Sequence, residues 1–254
     1  MIKVILLAVL QGVAEFLPIS SSGHLVIGQR LLGLDIPGLR LDLALHFGTL
    51  LSIFVFYRAT VVRIVSRCEW RYVLKIVLSA VPAILVYFPF RDSIDALFEN
   101  ARMVGALLMF TGAVLVGTRY LPRGHREISP WRALVMGLGQ ALALLPGVSR
   151  SGMTLASARA GRVDPEQAAE FSFLMSAPLI LGGVLLEVAK ALEGAGADSA
   201  GEVSWAACAV GAAVAAVVGF FSLKLLMRSL KGRWFWLFGP YCLAAGLLTL
   251  ILVR

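Results

Sequence analysis

Apolar stretches long enough to cross a bilayer recur along the chain, separated by short charged turns. That pattern decides the solvent in which the protein folds. A lipid interior offers no water to backbone N–H and C=O groups, so only helices and closed barrels pass through it. A helical span needs ~20 predominantly apolar residues, and runs of this kind lie at about 43–57, 72–90, 103–118, 168–188, 205–226 and 234–253. Composition agrees: 59% of the 254 residues are hydrophobic and 15% are charged, where a soluble domain carries about 25%. The expectation is an all-α polytopic membrane protein. The net charge of +8 does not point to nucleic acid, because the basic residues sit in short turns between apolar runs. There they set topology and meet lipid headgroups. Cys68, Cys208 and Cys242 have no metal-like or redox spacing and read as packing residues or free thiols. Ile2 to Leu10 is short and apolar but lacks a cleavage site, so it is not read as a signal peptide.

Two further segments are apolar but broken. In Leu144-Leu145-Pro146-Gly147-Val148-Ser149-Arg150-Ser151-Gly152-Met153-Thr154 a Pro-Gly pair interrupts an apolar run and leaves backbone N–H groups without i−4 partners. At bilayer depth such backbone survives only when buried in protein or lining a wet cavity. An arginine, hydroxyls and helix-start N–H groups together suit an anion, and a phosphate is the obvious guest. The stretch has a twin 129 residues earlier, the offset from Gln11 to Gln140. Ala14 falls on Ala143, Ile19 on Val148, and Ser20-x-Ser22-Gly23 on Ser149-x-Ser151-Gly152. The copies differ where chemistry would be divided: Glu15 against Leu144, Ser21 against Arg150, His24 against Met153. The offset is about half the chain, as an internal duplication requires.

Each half then reads as a re-entrant hairpin plus three spans. The first repeat is 1–120, with its hairpin at about 2–34; the second is 121–254, with its hairpin at about 133–160. Turns 58–71, 119–132 and 228–233 are basic, and connections 91–102 and 191–204 are acidic. The positive-inside rule places the basic turns in the cytoplasm and the acidic connections outside. Both termini then lie outside, and the hairpins come in from opposite faces. An inverted-topology repeat of this kind brings the two hairpin tips together near mid-membrane.

Several residues at those tips carry chemistry. Arg150 is read as a bidentate clamp on phosphate, against the alternative that it only pairs with Glu15 for architecture. Ser20, Ser22, Ser149, Ser151 and Thr154 are phosphate-binding candidates, although serines in membrane helices often just bond to the preceding turn. Glu15 is a general base or half of a cation site, with Gln11 one helical turn before it. Ser21 or His24 is read as the nucleophile, with attack by a water activated by Glu15 or His24 as the alternative, and the residues do not separate them. His46 is a further candidate for the same vestibule, while His125 sits in a basic loop.

Taken together, Gln11-x-x-x-Glu15, the following Pro-Ile-Ser-Ser-Ser-Gly-His, and Pro146-Gly-Val-Ser-Arg-Ser-Gly-Met-Thr154 resemble the paired motifs of undecaprenyl-diphosphate phosphatases of the bacitracin-resistance type. The likeness runs over essentially the whole chain. It departs at Gln11, where many members carry Glu. Ser22-Gly23-His24 is also locally similar to the box of type-2 phosphatidic-acid phosphatases, but no histidine follows Ser149-Arg150.

The resemblance implies a hydrolase of polyprenyl diphosphate, releasing phosphate and the monophosphate, in the bacterial inner (plasma) membrane. That reaction recycles the lipid carrier of cell-wall synthesis and gives bacitracin resistance. The expected metal is Mg²⁺ or Ca²⁺, bridging Glu15 and the diphosphate with Gln11 beside it. The site is expected to open to the external side. A homodimer is allowed by the sequence and not required by it. The competing reading is a transporter or flippase for a lipid phosphate or small anion, since inverted repeats with broken helices are a carrier design.

Overall fold

The computed structural model describes residues 1–31, 39–182, 185 and 203–252. Within them the chain is helical, with one isolated β-bridge between Arg126 and Val163. The helices are α1 (Ile2–Ala14), α2 (Ser21–Leu31), α3 (Leu39–Phe56), α4 (Arg58–Ser66), α5 (Trp70–Glu99), α6 (Ala101–Gly117), α7 (Pro130–Leu142), α8 (Arg150–Ala160), α9 (Pro165–Leu174), α10 (Trp205–Lys231) and α11 (Phe238–Leu252). Among the described residues four helices, α5, α6, α10 and α11, are long and apolar enough to cross a membrane. A fifth span is available if α3 and α4, bent by 75°, are counted as one. Large apolar side chains such as Phe88, Leu85, Phe221 and Ile251 lie on the outside of the bundle, as they do where lipid is the solvent.

Helix–break–helix pairs, α1–α2 and α7–α8, lie where the hairpins are expected, and three boundaries differ from expectation. The basic stretch 58–71 is not a plain loop: α4 occupies most of it, because Thr60 and Arg63 face α9 and meet Glu170. The span expected at 72–90 continues to Glu99, carrying Pro82 and Pro89 within the helix. Helix α5 therefore absorbs most of the acidic connection, whose charges are exposed. The span expected at 168–188 is broken: α9 stops at Leu174 and residues 177–182 resume as helix. Pro178 has no N–H to continue the ladder, and the Ser176 hydroxyl donates instead to Phe173 O at 2.7 Å. The rest of that span and most of connection 191–204 lie outside the described residues. Asp164-Pro165-Glu166 starts a helix as expected, the Asp164 carboxylate accepting from the N–H groups of Glu166 and Gln167.

Close packing depends on small residues. On α6, Gly105 meets Gly246 and Gly112 meets Gly239 of α11. Rising numbers on one helix oppose falling numbers on the other, so the pair is antiparallel. A Cβ on Gly112 would stand 2.8 Å from the Gly239 carbonyl oxygen, which leaves room only for glycine. Helices α3 and α10 are parallel, with Gly48 against Ala212 and the Ser52 hydroxyl donating to Ala216 O at 2.8 Å. Val4 and Gly12 of α1 lie against Gly211 and Ala215 of α10, again parallel. Ser79 of α5 meets Gly137 of α7, and Lys75 donates to Ile128 O just before α7, a third parallel pair. Thus the first arm of each hairpin leans on the long helix of the other half.

Candidate active site

The first hairpin turns at Glu15 because Pro18 cannot continue the helix. The Glu15 N–H still reaches Gln11 O at 2.9 Å, and Phe16, Leu17 and Ile19 are buried around the turn. Ser20 takes a left-handed conformation (φ 69°) and caps α2, its hydroxyl accepting from Gly23 N at 3.3 Å. The second hairpin tightens through i−3 bonds from Ala143 to Leu145, then breaks at Pro146. Gly147 has φ 95°, and a Cβ there would collide with Val104 O. Thr111 of α6 staples this break: its hydroxyl donates to Gly147 O at 3.0 Å and accepts from Ser149 N at 3.1 Å. Ser149 then caps α8 by accepting from Gly152 N at 3.1 Å.

The sequence twins are geometric twins. In each copy the first serine caps a helix and its hydroxyl lies 3.3 Å from that of the serine two residues on. The tips touch. The Ser151 hydroxyl donates to Leu17 O at 3.3 Å, Gly23 packs on Gly147, and Gly152 packs on Pro18. The starts of α2 and α8 therefore converge, each with first-turn N–H groups and a partial positive charge.

Glu15 lies at the centre of the junction. Its Oε2 accepts from the Ser21 hydroxyl at 2.7 Å and from Gln11 Nε2 at 3.1 Å. Its Oε1 is bound by the Arg150 guanidinium from the opposite hairpin. His46 Nε2 stands 3.7 Å from Oε2. His46 donates through Nδ1 to Asp42 O at 2.7 Å, since a carbonyl oxygen can only accept. Glu15 is 7% exposed and Arg150 17%, so this carboxylate and guanidinium are held together out of bulk solvent. Beneath Arg150 the Phe173 ring lies 5.5 Å from the guanidinium carbon, and Phe16 meets Phe173 edge-on. Two polar atoms at this junction are buried without a hydrogen-bond partner: Arg150 Nη1 and Gln11 Oε1. Such atoms are costly to leave unmatched, and they mark where a polar guest fits.

Not every candidate converges here. His24 donates from Nδ1 to Ser20 O at 2.9 Å, and its Nε2 meets the Tyr241 hydroxyl at 2.8 Å. Both ring nitrogens are thus occupied away from Glu15. Thr154 is fully buried, with its hydroxyl on Arg150 O and 2.6 Å from that of Ser172. It braces α8 against α9. Ser22 meets Ser20 alone among its described side-chain contacts. Phe173 and Thr111 were not among the sequence candidates, because a lone phenylalanine or threonine inside an apolar helix carries no distinguishing pattern.

Helices long and apolar enough to cross a membrane, with a carboxylate, a hydroxyl and a half-satisfied guanidinium brought to one buried point, define a multi-pass membrane protein with a polar site in its core. More specifically, the chain belongs to the family of the bacitracin resistance protein BacA, whose family model matches residues 4–248. It is similar to the undecaprenyl-diphosphatase of Halothermothrix orenii, 35% identical over 256 residues, covering 98% of this chain and 97% of that protein. The undecaprenyl-diphosphatase of Pelotomaculum thermopropionicum is 38% identical over 260 residues, with 98% and 96% covered. That of Rhodopirellula baltica is 37% identical over 256 residues, with 99% and 98% covered.

Proposed function

We propose that the protein is an integral membrane phosphatase. It hydrolyses undecaprenyl diphosphate to the monophosphate and phosphate, recycling the lipid carrier of cell-wall synthesis and giving bacitracin resistance. The observation that carries the catalytic reading is the Ser21 hydroxyl, 2.7 Å from one Glu15 oxygen while Arg150 binds the other. Arg150, freed in part from Glu15, clamps the terminal phosphoryl group through its unmatched Nη1 and neutralises charge there. Ser21 Oγ bonds to that phosphorus as the bond to the bridging oxygen breaks, and the Ser21 proton passes to Glu15. The lipid monophosphate leaves. Water then cleaves the serine phosphate, Oγ recovers its proton from Glu15, and inorganic phosphate departs. The site draws all these groups from one chain.

A divalent cation, Mg²⁺ or Ca²⁺, fits this site as one shared with the substrate's phosphates. Among the described residues no group of three or more His, Cys, Asp or Glu could hold an ion, while Gln11 Oε1 is an unmatched buried oxygen beside Glu15. Glu15 and Gln11 would hold it, and it would add positive charge to the phosphates.

We place the protein across the plasma membrane as an inverted repeat, with the site opening outward. The helix directions support this reading. Successive spans alternate, so α3 and α10 run one way and α5 the other; α1 parallels α10 and α7 parallels α5. The two hairpins are then opposed. A carrier reading is favoured by a polar cavity of about 600 Å³ around Arg63, Lys75 and Glu170, whose lining Tyr57 stacks on Phe173, the ring that also lies against Arg150. Phosphate release from undecaprenyl diphosphate in detergent, with and without divalent cation, tests the enzyme. An acid-stable phosphoprotein lost in Ser21→Ala is expected. An acid-labile adduct would move the nucleophile to a histidine, and no release with transport of lipid phosphate into vesicles would favour the carrier.

A further inference from the structure

A groove of about 530 Å³ runs between α5 and α7. Val86, Phe90, Ile94 and Leu97 form one wall; Leu138 and Leu142 lie on the other, which ends at Leu144 and Leu145. The stretch from Val86 to Leu97 is about 16 Å of helix. Its lining is almost wholly apolar, and Val86, Phe90, Leu138 and Leu142 are each more than a third exposed, so the groove opens sideways toward lipid. This stretch of the outer surface is concave. Its closed end is one peptide bond from Pro146, and the next residue, Gly147, packs against Gly23 in the Ser21–His24 turn. From there the chain passes through Ser149 to Arg150. The lining of the groove therefore continues along the chain into the hairpin tip that carries Arg150.

We infer that this α5–α7 groove seats the first isoprene units of the lipid substrate, with Leu144-Leu145 marking the point where tail gives way to diphosphate. This rests on the phosphatase reading for the identity of the headgroup. The physics is that of a hydrocarbon chain filling a dry, shaped cleft: packing decides the gain, because the alternative solvent is itself apolar. One occupant satisfies both ends of the feature at once, an apolar chain in the groove and an anion at Arg150. An uncharged diacylglycerol satisfies only the first, and a free phosphate only the second. The groove is thus the part of the protein that distinguishes a prenyl diphosphate from other diphosphates.

Filling the groove from positions already half-exposed tests this without disturbing the core. Leu138→Trp and Leu142→Trp are each expected to raise KM for farnesyl diphosphate about tenfold with kcat within roughly twofold, the signature of lost uniform binding. Val217→Trp, on exposed α10 surface away from the groove, should leave both constants unchanged. Unchanged KM in folded Leu138→Trp and Leu142→Trp, or an equal rise in Val217→Trp, overturns the assignment. A diazirine-bearing farnesyl diphosphate supplies an independent readout. Its photo-adducts should map to residues 86–97 and 138–145, and adducts confined to other helices would also overturn it. If the wild-type protein releases no phosphate, the phosphatase reading fails on its own, and adduct mapping still decides what the groove holds.

Discussion

Glu15 receives the Ser21 hydroxyl and Gln11 on one oxygen and Arg150 on the other, and this asymmetry separates the roles of its neighbours. Glu15→Gln keeps the shape but removes the base and the partner of a buried cation. Turnover should fall by about 10³-fold, with stability lower by about 3 kcal/mol as Arg150 loses its carboxylate. Phosphate release and thermal unfolding in detergent read the two effects separately. Arg150→Lys should lose about 10²-fold or more in kcat, because an ammonium cannot serve Glu15 and a phosphoryl oxygen at once. Gln11 gives a metal prediction of opposite sign. Gln11→Glu puts a second carboxylate one turn from Glu15, so half-saturation by Mg²⁺ should shift to lower concentration with kcat little altered. A titration of activity against Mg²⁺ in which Gln11→Glu matches wild type would remove Gln11 from the ion's surroundings. The motifs made Glu15 and Arg150 legible in the sequence. The choice between Ser21 and His24 was not, since only the fold sets the Ser21 hydroxyl on Glu15 and turns both His24 ring nitrogens to Ser20 O and Tyr241.

At the scale of helices, the paired hairpins were legible because proline and glycine punctuate apolar runs in a repeated pattern. Boundaries were not. Helix α5 runs through Pro89 to Glu99, and α4 forms inside a basic turn, because tertiary partners such as Glu170 outweigh local signals. The α6–α11 contact was equally invisible, since glycines in membrane helices are common. It carries a sharp expectation. Gly112→Leu must push a side chain into Gly239 and Leu243, and should cost about 2 kcal/mol or more. Gly117 on the same helix has nothing within 4 Å of its missing Cβ, so Gly117→Ala should leave the unfolding temperature unchanged or raise it slightly. Equal losses from both would show that helix propensity, not the close approach, governs this pair.

For the molecule as a whole, charge in the sequence gives an expected orientation, and the structure supplies a native thiol that can report on it. Cys68 is exposed between α4 and α5, while Cys208 and Cys242 are buried. In the proposed topology Cys68 faces the cytoplasm. A membrane-impermeant maleimide added to intact cells should therefore leave it unmodified, and the same reagent should label it in inverted vesicles. Asp95→Cys, at the exposed far end of α5, should label from outside. Labelling of Cys68 in intact cells reverses the topology and moves the site's mouth to the cytoplasm.

The leaning of α1 on α10 has a consequence for how the protein is made. Helix α1 is synthesised before its lateral partner, which begins at Trp205, roughly 190 residues later. Arg150, the partner of Glu15, is 135 residues behind it. At about 5–20 residues per second a ribosome takes roughly 10–40 s to deliver α10. For the first part of that interval the Glu15 carboxylate has neither its cation nor its supporting helix, and for the rest it lacks the helix. The first hairpin is thus made before the helix it leans on, and its packing is completed only when α10 follows. Substitutions along the Gly12–Val218 seam would then be felt first by the quality-control proteases of the membrane, as chains removed young, rather than by the chemistry of the mature protein.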